Sequence, residues 1–232
     1  MPYDRKFFFD NVRANLFNKT LTQDQVDGMN YLLEVWEWAF EANNPNDGTM
    51  WLAYALATFF HETDQRMQPI EEYGKGAGKS YGKKTGPHNQ AYYGRGHVQL
   101  TWDTNYKNGQ QYMKDRYNKD VNIYPDASNM LNAEISALVS YDGMVYGWFT
   151  GVGLPKYLSK SKNIEDPMNA RRIVNGTDQA QKIAGYYWKF KAALKQVPGI
   201  SVAVAPVDEQ LPDLPKHPHM PDPSKHREKD DG

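Results

Sequence analysis

Apolar residues recur at helical intervals through most of the chain. Phe8, Phe9, Val12 and Leu16 lie on overlapping faces of a helix predicted over 4–17. Val26, Met29, Leu33 and Trp36 mark a second helix that starts at Thr22. Thr22 and Gln25 have the spacing of a capping box, in which each side chain satisfies the other residue's backbone N–H. Residues 43–48, Asn-Asn-Pro-Asn-Asp-Gly, read as a turn. The next stretch breaks the amphipathic pattern. Trp51, Leu52, Tyr54, Ala55, Leu56, Phe59 and Phe60 leave no polar face, so a helix over 51–63 has to cross the core. It ends in His61-Glu62-Thr63.

Periodicity is lost from 64 to 96. Gly74, Gly76, Gly78, Gly82, Gly86, Gly94 and Gly96 punctuate a segment too long for an ordinary connection. Its tyrosines, Tyr73, Tyr81, Tyr92 and Tyr93, favour an ordered loop that faces a ligand. Val98-Gln99-Leu100-Thr101 reads as a short extended piece. Helices are predicted over 105–117 and 133–149. Asp166 with Pro167 has the form of an N-cap and first helical position leading into 168–174. Asp178 is the expected cap of a last helix through Ile183, Tyr187, Phe190 and Leu194. Strands do not alternate with helices, which argues against a doubly wound sheet. The expected fold is mainly α, with a glycine-rich loop insertion and a small extended segment.

Composition divides the chain in two. Residues 197–232 are rich in proline and charge and poor in large apolar groups, the composition of a flexible tail. The expected domain is therefore 1–196. The tail holds 7 acids and 4 bases; the remaining 21 acids and 23 bases leave the body at +2. That charge suits an anionic polymer such as a cell wall and is too small to argue for nucleic-acid binding. There is no cysteine, which excludes disulfides, thiolate metal sites and a cysteine nucleophile. The first residues have no secretory pattern, and no apolar run is long enough to span a bilayer. A monomer without membrane insertion is expected.

Two motifs fail on inspection. Residues 73–80, Tyr-Gly-Lys-Gly-Ala-Gly-Lys-Ser, put a tyrosine where a phosphate-binding loop needs its first glycine. His61-Glu62 lacks the second histidine of a zinc-protease helix, because position 65 is Gln65. No serine lies in a nucleophile-elbow turn, and no metal or organic cofactor is implied. His217, His219 and His226 fall in the tail and read as solvated side chains. Carboxylates remain. Glu62, at the end of a buried helix, sits where desolvation raises a carboxyl's pKa toward what a general acid needs. Glu71 and Glu72 open the glycine-rich loop and are either a solvated acidic pair or the second catalytic group. Two carboxyls across a cleft, one protonated and one ionised, are the apparatus of glycoside hydrolysis; an inverting pair stands ~6.5–9.5 Å apart.

Three stretches, His61-Glu62-Thr63, then Tyr92-Tyr93-Gly94-Arg95-Gly96-His97-Val98-Gln99-Leu100-Thr101-Trp102, then Ile173-Val174-Asn175-Gly176, resemble the glycoside hydrolase family 19 chitinases and their phage endolysin relatives. The residues from Met67 to Gly74 look more like the phage and bacterial branch. The resemblance implies a lysozyme-like, two-lobed helical domain. It implies Glu62 as general acid, Glu72 or else Glu71 as general base, and Thr101 as the hydroxyl that holds the attacking water. It implies that Gln99, Asn105 and Asn175 bind sugar. His61, Glu71, Tyr93 and Trp102 are further candidates for substrate contact. His97 departs from the family, which commonly has proline or an apolar residue there. The expected activity is hydrolysis of β-1,4 bonds in the peptidoglycan glycan strand. The enzyme would wait in the host cytoplasm for another component to deliver it to the wall. Chitin is the rival substrate. A non-catalytic wall-binding protein and a toxin effector with the same chemistry are the rival roles.

Overall fold

The computed structural model describes residues 2–41, 44 and 46–197. The expected tail beyond Val197 lies outside the described residues, as do Asn43 and Pro45 of the expected turn. Six α-helices carry the fold: α1 (Arg5–Asn15), α2 (Gln23–Trp36), α3 (Gly48–Glu62), α4 (Asp103–Tyr117), α5 (Ala133–Tyr146) and α6 (Ala180–Ala193). Extended structure among the described residues is confined to two antiparallel ladders, β1 (Ile70–Glu71) with β2 (Arg95–Gly96) and β3 (Leu158–Ser159) with β4 (Ile164–Glu165), and to isolated bridges. The mainly α expectation is met. No helix of the described residues is long and apolar enough to cross a membrane.

Helix α3 is the centre. Every residue from 50 to 60 is buried. Its aromatic side chains reach in different directions. Phe60 meets Phe17 beyond α1 and both Tyr186 and Phe190 of α6. Phe59 meets Tyr141 of α5 and the ring of His97. Trp51 donates its indole N–H to the Leu158 carbonyl at 2.8 Å. The most extensive packing is α3 along α6. Thr63 ends the helix: its hydroxyl donates to the Phe59 carbonyl and accepts the Met67 N–H. The chain then turns so close to α2 that a Cβ on Gly28 would come within 2.1 Å of the Met67 carbonyl.

Several boundaries differ from expectation for local reasons. The capping box of α2 is present with both reciprocal bonds. Helix α4 begins two residues before the expected start. Helix α5 stops at Tyr146, short of Phe149, because Gly147 adopts φ +76° and turns the chain left-handed. Asp178 does not cap α6. Gln179 holds the cap position at φ 56° without a side-chain bond, while the Asp178 carbonyl is occupied by Arg171. Of residues 98–101, Leu100 is extended and bridges Arg95, while Val98 and Gln99 lie in a turn. Gly96 and Gln99 both have positive φ, so 96–99 is a tight turn closed by reciprocal Arg95–Leu100 backbone bonds. The extended pair is β2, just before it.

The first and last described residues meet. The Asp4 N–H donates to the Lys195 carbonyl and the Val197 N–H to the Pro2 carbonyl. Beside them a π-helical turn, Glu37–Glu41, buries two carboxylates. Arg5 binds Glu37 through both guanidinium nitrogens, and Glu41 accepts from the Tyr3 hydroxyl and the Trp36 indole.

Asp142 of α5 is fully buried and accepts bonds from Arg116, the Tyr117 hydroxyl and the Trp148 indole. Arg116 is itself only 8% exposed in its side chain, so the pair has no recourse to water. Asp142→Asn is expected to cost about 3–5 kcal/mol, because a buried cation is left without its counter-charge. The double replacement Arg116→Met with Asp142→Leu should cost markedly less, and urea unfolding of both variants measures the difference.

Candidate active site

The sequence-selected residues fall into two groups. The first surrounds the end of α3. Glu62 lies one turn beyond the buried stretch, with 16% of its side chain exposed. Its Oε1 accepts a 2.6 Å bond from Arg171, whose side chain is 3% exposed. Its Oε2 has no hydrogen-bond partner among the described residues. The sequence places Glu62 at an apolar edge; the structure puts a guanidinium against it.

Arg171 comes from a 3₁₀ segment, Asn169–Ile173, that leads toward α6. The guanidinium has a second task, donating from Nε to the Asp178 carbonyl at 3.0 Å. Asn175 belongs to the same group: its backbone N–H donates to the Arg171 carbonyl, its side chain accepts from Gly176, and it stands exposed. His61 is half-buried, and desolvation holds its pKa below the ordinary value, against the pull of Glu62. Beneath them, burial pushes the Tyr54 hydroxyl up, with Arg171 and Glu62 both near enough to act on it.

The second group is built on the β1–β2 ladder. Glu71 is heavily engaged. Tyr93 donates its hydroxyl at 2.6 Å, Lys75 stands at 2.9 Å and Arg95 at 3.6 Å. These partners, Tyr93 first and Lys75 next, hold the Glu71 carboxyl below the usual carboxylate range. Glu72 is more lightly held: Tyr81 donates to one oxygen at 3.3 Å and the Gly94 N–H to the other at 3.1 Å. The Glu72 N–H returns a bond to the Gly94 carbonyl at 2.7 Å. Arg95 is buried beneath, its guanidinium 3.6 Å from the centre of the Tyr93 ring. Gly94 packs closely here: a Cβ would come within 2.9 Å of the Gln99 side-chain oxygen.

Several expected sugar contacts are engaged with the backbone instead. Gln99 donates to the Ile70 and Gly96 carbonyls, pinning the ladder to its turn. Asn105 donates to the Thr101 carbonyl, and Thr101 donates its hydroxyl to the Gln99 carbonyl at 2.9 Å. Tyr93 is buried. Trp102 is 46% exposed and meets Tyr81 edge-to-face, which puts an open aromatic surface beside Glu72. His97 is buried against Phe59 and Ser136, and loss of water pushes its pKa down to about 3. It is a neutral core residue in place of the expected apolar one.

No hydrogen bond or ion pair joins the two groups among the described residues. Nor do three histidine, aspartate or glutamate side chains of the described residues converge as metal ligands. Sequence reading missed Arg171 and Tyr81 as partners of the carboxylates. The Arg171-Arg172 dipeptide beside the Ile-Val-Asn-Gly stretch was a usable signal for the first.

No family model matches the chain, and no curated protein matches it. Among solved structures, the chain is similar to a crystal structure of a chitinase C mutant. The two share 18% identity and a TM-score of 0.45, over 82% of this chain and 91% of that one.

The state of Glu71 gives a pH expectation. Its folded pKa lies below the ordinary 4.5, so the folded chain binds this proton less readily than the unfolded chain. The ionised group therefore stabilises the ladder above pH 4.5, and that contribution is lost as pH falls through the depressed folded value. Urea unfolding between pH 6 and 3 should show Glu71→Gln losing stability less steeply with acid than the parent.

Proposed function

We propose that the chain is a glycoside hydrolase that cuts the β-1,4 bond between amino sugars of bacterial peptidoglycan, with inversion at the anomeric carbon. The observation that carries this reading is Glu62. It is a carboxyl on a rigid helix end, with one oxygen fixed by a buried guanidinium and the other unengaged. The same residue lies in the first of the three stretches that resemble family 19. In this reading Oε2, the oxygen Arg171 does not hold, delivers the proton to the leaving glycosidic oxygen as the bond to the anomeric carbon breaks.

Glu72 is the better base of the acidic pair. The lone pairs of Glu71 already serve Tyr93, Lys75 and Arg95, which lowers its appetite for a proton. Glu72 takes one proton from water while the water oxygen bonds to the anomeric carbon. The Thr101 hydroxyl has its hydrogen on Gln99, which leaves its lone pairs to accept a hydrogen bond from that water. Tyr81 and Trp102 offer ring faces and edges to the sugar. Gln99 and Asn105 act by holding the loop.

Glu62→Gln keeps shape and loses the proton. It is expected to lower turnover of purified peptidoglycan about 10²–10⁴-fold, the size of a general-acid contribution, while binding to wall is retained in a pull-down. Product analysis by mass spectrometry with anomer assignment by NMR should show inversion. A retained anomer overturns the water-between-carboxylates mechanism. Activity confined to chitin oligomers overturns the substrate. Binding without lysis by the parent protein makes it a glycan-binding protein.

A further inference from the structure

A cavity of about 630 Å³ opens between the 3₁₀ segment that carries Arg171 and the start of α6. Its size is that of a small-ligand pocket. None of the sequence-selected site residues lines it. Its wall is chemically distinct from the surroundings of Glu72. Met168 and Ala180 supply carbon, Gln181 supplies an amide, Asn169 and Gln179 supply amides that already donate to Asp166 and Asp178, and Lys182 is the one charged side chain of the lining. There is no aromatic ring on which a sugar could stack and no acid to accept from sugar hydroxyls.

Lys182 is exposed and forms no ion pair among the described residues. The nearest acid in sequence on this side, Asp178, accepts from the Gln179 amide instead. The cavity is tied to the Glu62 group through one guanidinium. Arg171 donates to Glu62 and to the carbonyl of Asp178, which lies between the lining residues Thr177 and Gln179. His61 feels both Lys182 and Asp178 electrostatically. The rim of this cavity and Glu62 therefore share one arginine.

Side-chain amides carry both a donor and an acceptor, the complement of a peptide backbone. A methionine adapts to varied side chains. An unpaired lysine matches a carboxylate. We propose that this cavity receives the stem peptide that peptidoglycan bears on its lactyl group and chitin lacks, with Lys182 meeting one of its carboxylates. The inference rests on the peptidoglycan reading above and names the feature that separates that substrate from chitin.

Lys182→Glu reverses the charge at an exposed position, so the fold is not at risk. Two soluble probes differ only in the peptide: a disaccharide with its stem peptide and the same disaccharide stripped of it. By calorimetry, the parent should bind the peptide-bearing probe the more tightly. Lys182→Glu should weaken that probe about tenfold, a loss of ~1.4 kcal/mol, and leave the stripped probe within about twofold. Met168→Asp should act in the same direction. Hydrolysis of intact peptidoglycan and of amidase-stripped glycan strands is measured in parallel. Equal binding of both probes by the parent, or equal loss on both in the variants, overturns the peptide site even where lysis is robust. Peptide-dependent binding that Lys182→Glu abolishes, with no hydrolysis of either polymer, keeps the site and sinks the hydrolase reading.

Discussion

A helix without a polar face has to be covered on every side, and most of this fold follows from that requirement. The buried run of α3 offers nothing to water, so α6, α5, the end of α1 and the turn at His97 close around it. Each large side chain buried contributes roughly 1.5–3 kcal/mol. The packing of α3 on α6 therefore far outweighs any single polar contact nearby. It also has a consequence for chemistry. Bringing α6 alongside α3 carries the segment just before α6, with Arg171, to the end of α3, where Glu62 stands. The ion pair is set by the packing. With Arg171 nearly enclosed, its attraction for Glu62 is largely consumed by the loss of water. What it supplies is a fixed orientation of one carboxyl.

The other carboxylate pair is held by different means. β2 and residues 92–98 are buried, but the 73–90 loop beside them is largely exposed, and the two carboxylates are positioned by a web of short polar bonds. Tyr93 and Lys75 bind Glu71, Tyr81 and the Gly94 amide bind Glu72, and Gln99 binds two carbonyls. The long segment before β2 is stapled by close glycine contacts: Gly82 lies so near the Gly76 carbonyl that a Cβ would come within 1.9 Å of it. Regions held by exposed hydrogen bonds with few apolar contacts open at lower free energy than packed helices. The fold thus joins a stiff helix end to a loop that yields more easily.

The features legible in the sequence were those with a local cause. The helices announced themselves by spacing, and the Thr22–Gln25 box by two residues three apart. The crossing helix was visible because seven large or small apolar residues left no polar face. What escaped depends on distant partners. Arg171 and Arg172 are adjacent and identical in type, yet one is buried on Glu62 and the other exposed. Nothing local separates them, because the partner is 109 residues away. Asp178 looked like a cap, but its carbonyl serves that same arginine and the next residue takes the cap position. Residues 98–101 looked extended because Val, Leu and Thr favour strands. The left-handed Gln99, held by its own amide on Ile70 and Gly96, turns the chain at 97–99 and leaves Leu100 to bridge Arg95. Several polar residues of the family-like stretch prove to hold backbone, a division that residue type alone does not disclose.

The division between stiff and yielding parts bears on how an acid and a base share one reaction. A proton donor gains from a fixed position, because a small misplacement of the leaving oxygen costs rate steeply. A base that must admit a polymer and a water gains from a support that can shift and return. Arg171 extends the stiff part. Its guanidinium spans the α3 end and the 177–179 turn and so ties Glu62 to the rim of the neighbouring cavity. In the reaction proposed above, a substrate held at that rim is registered against Glu62 by the packed helices, through the arginine that the two share.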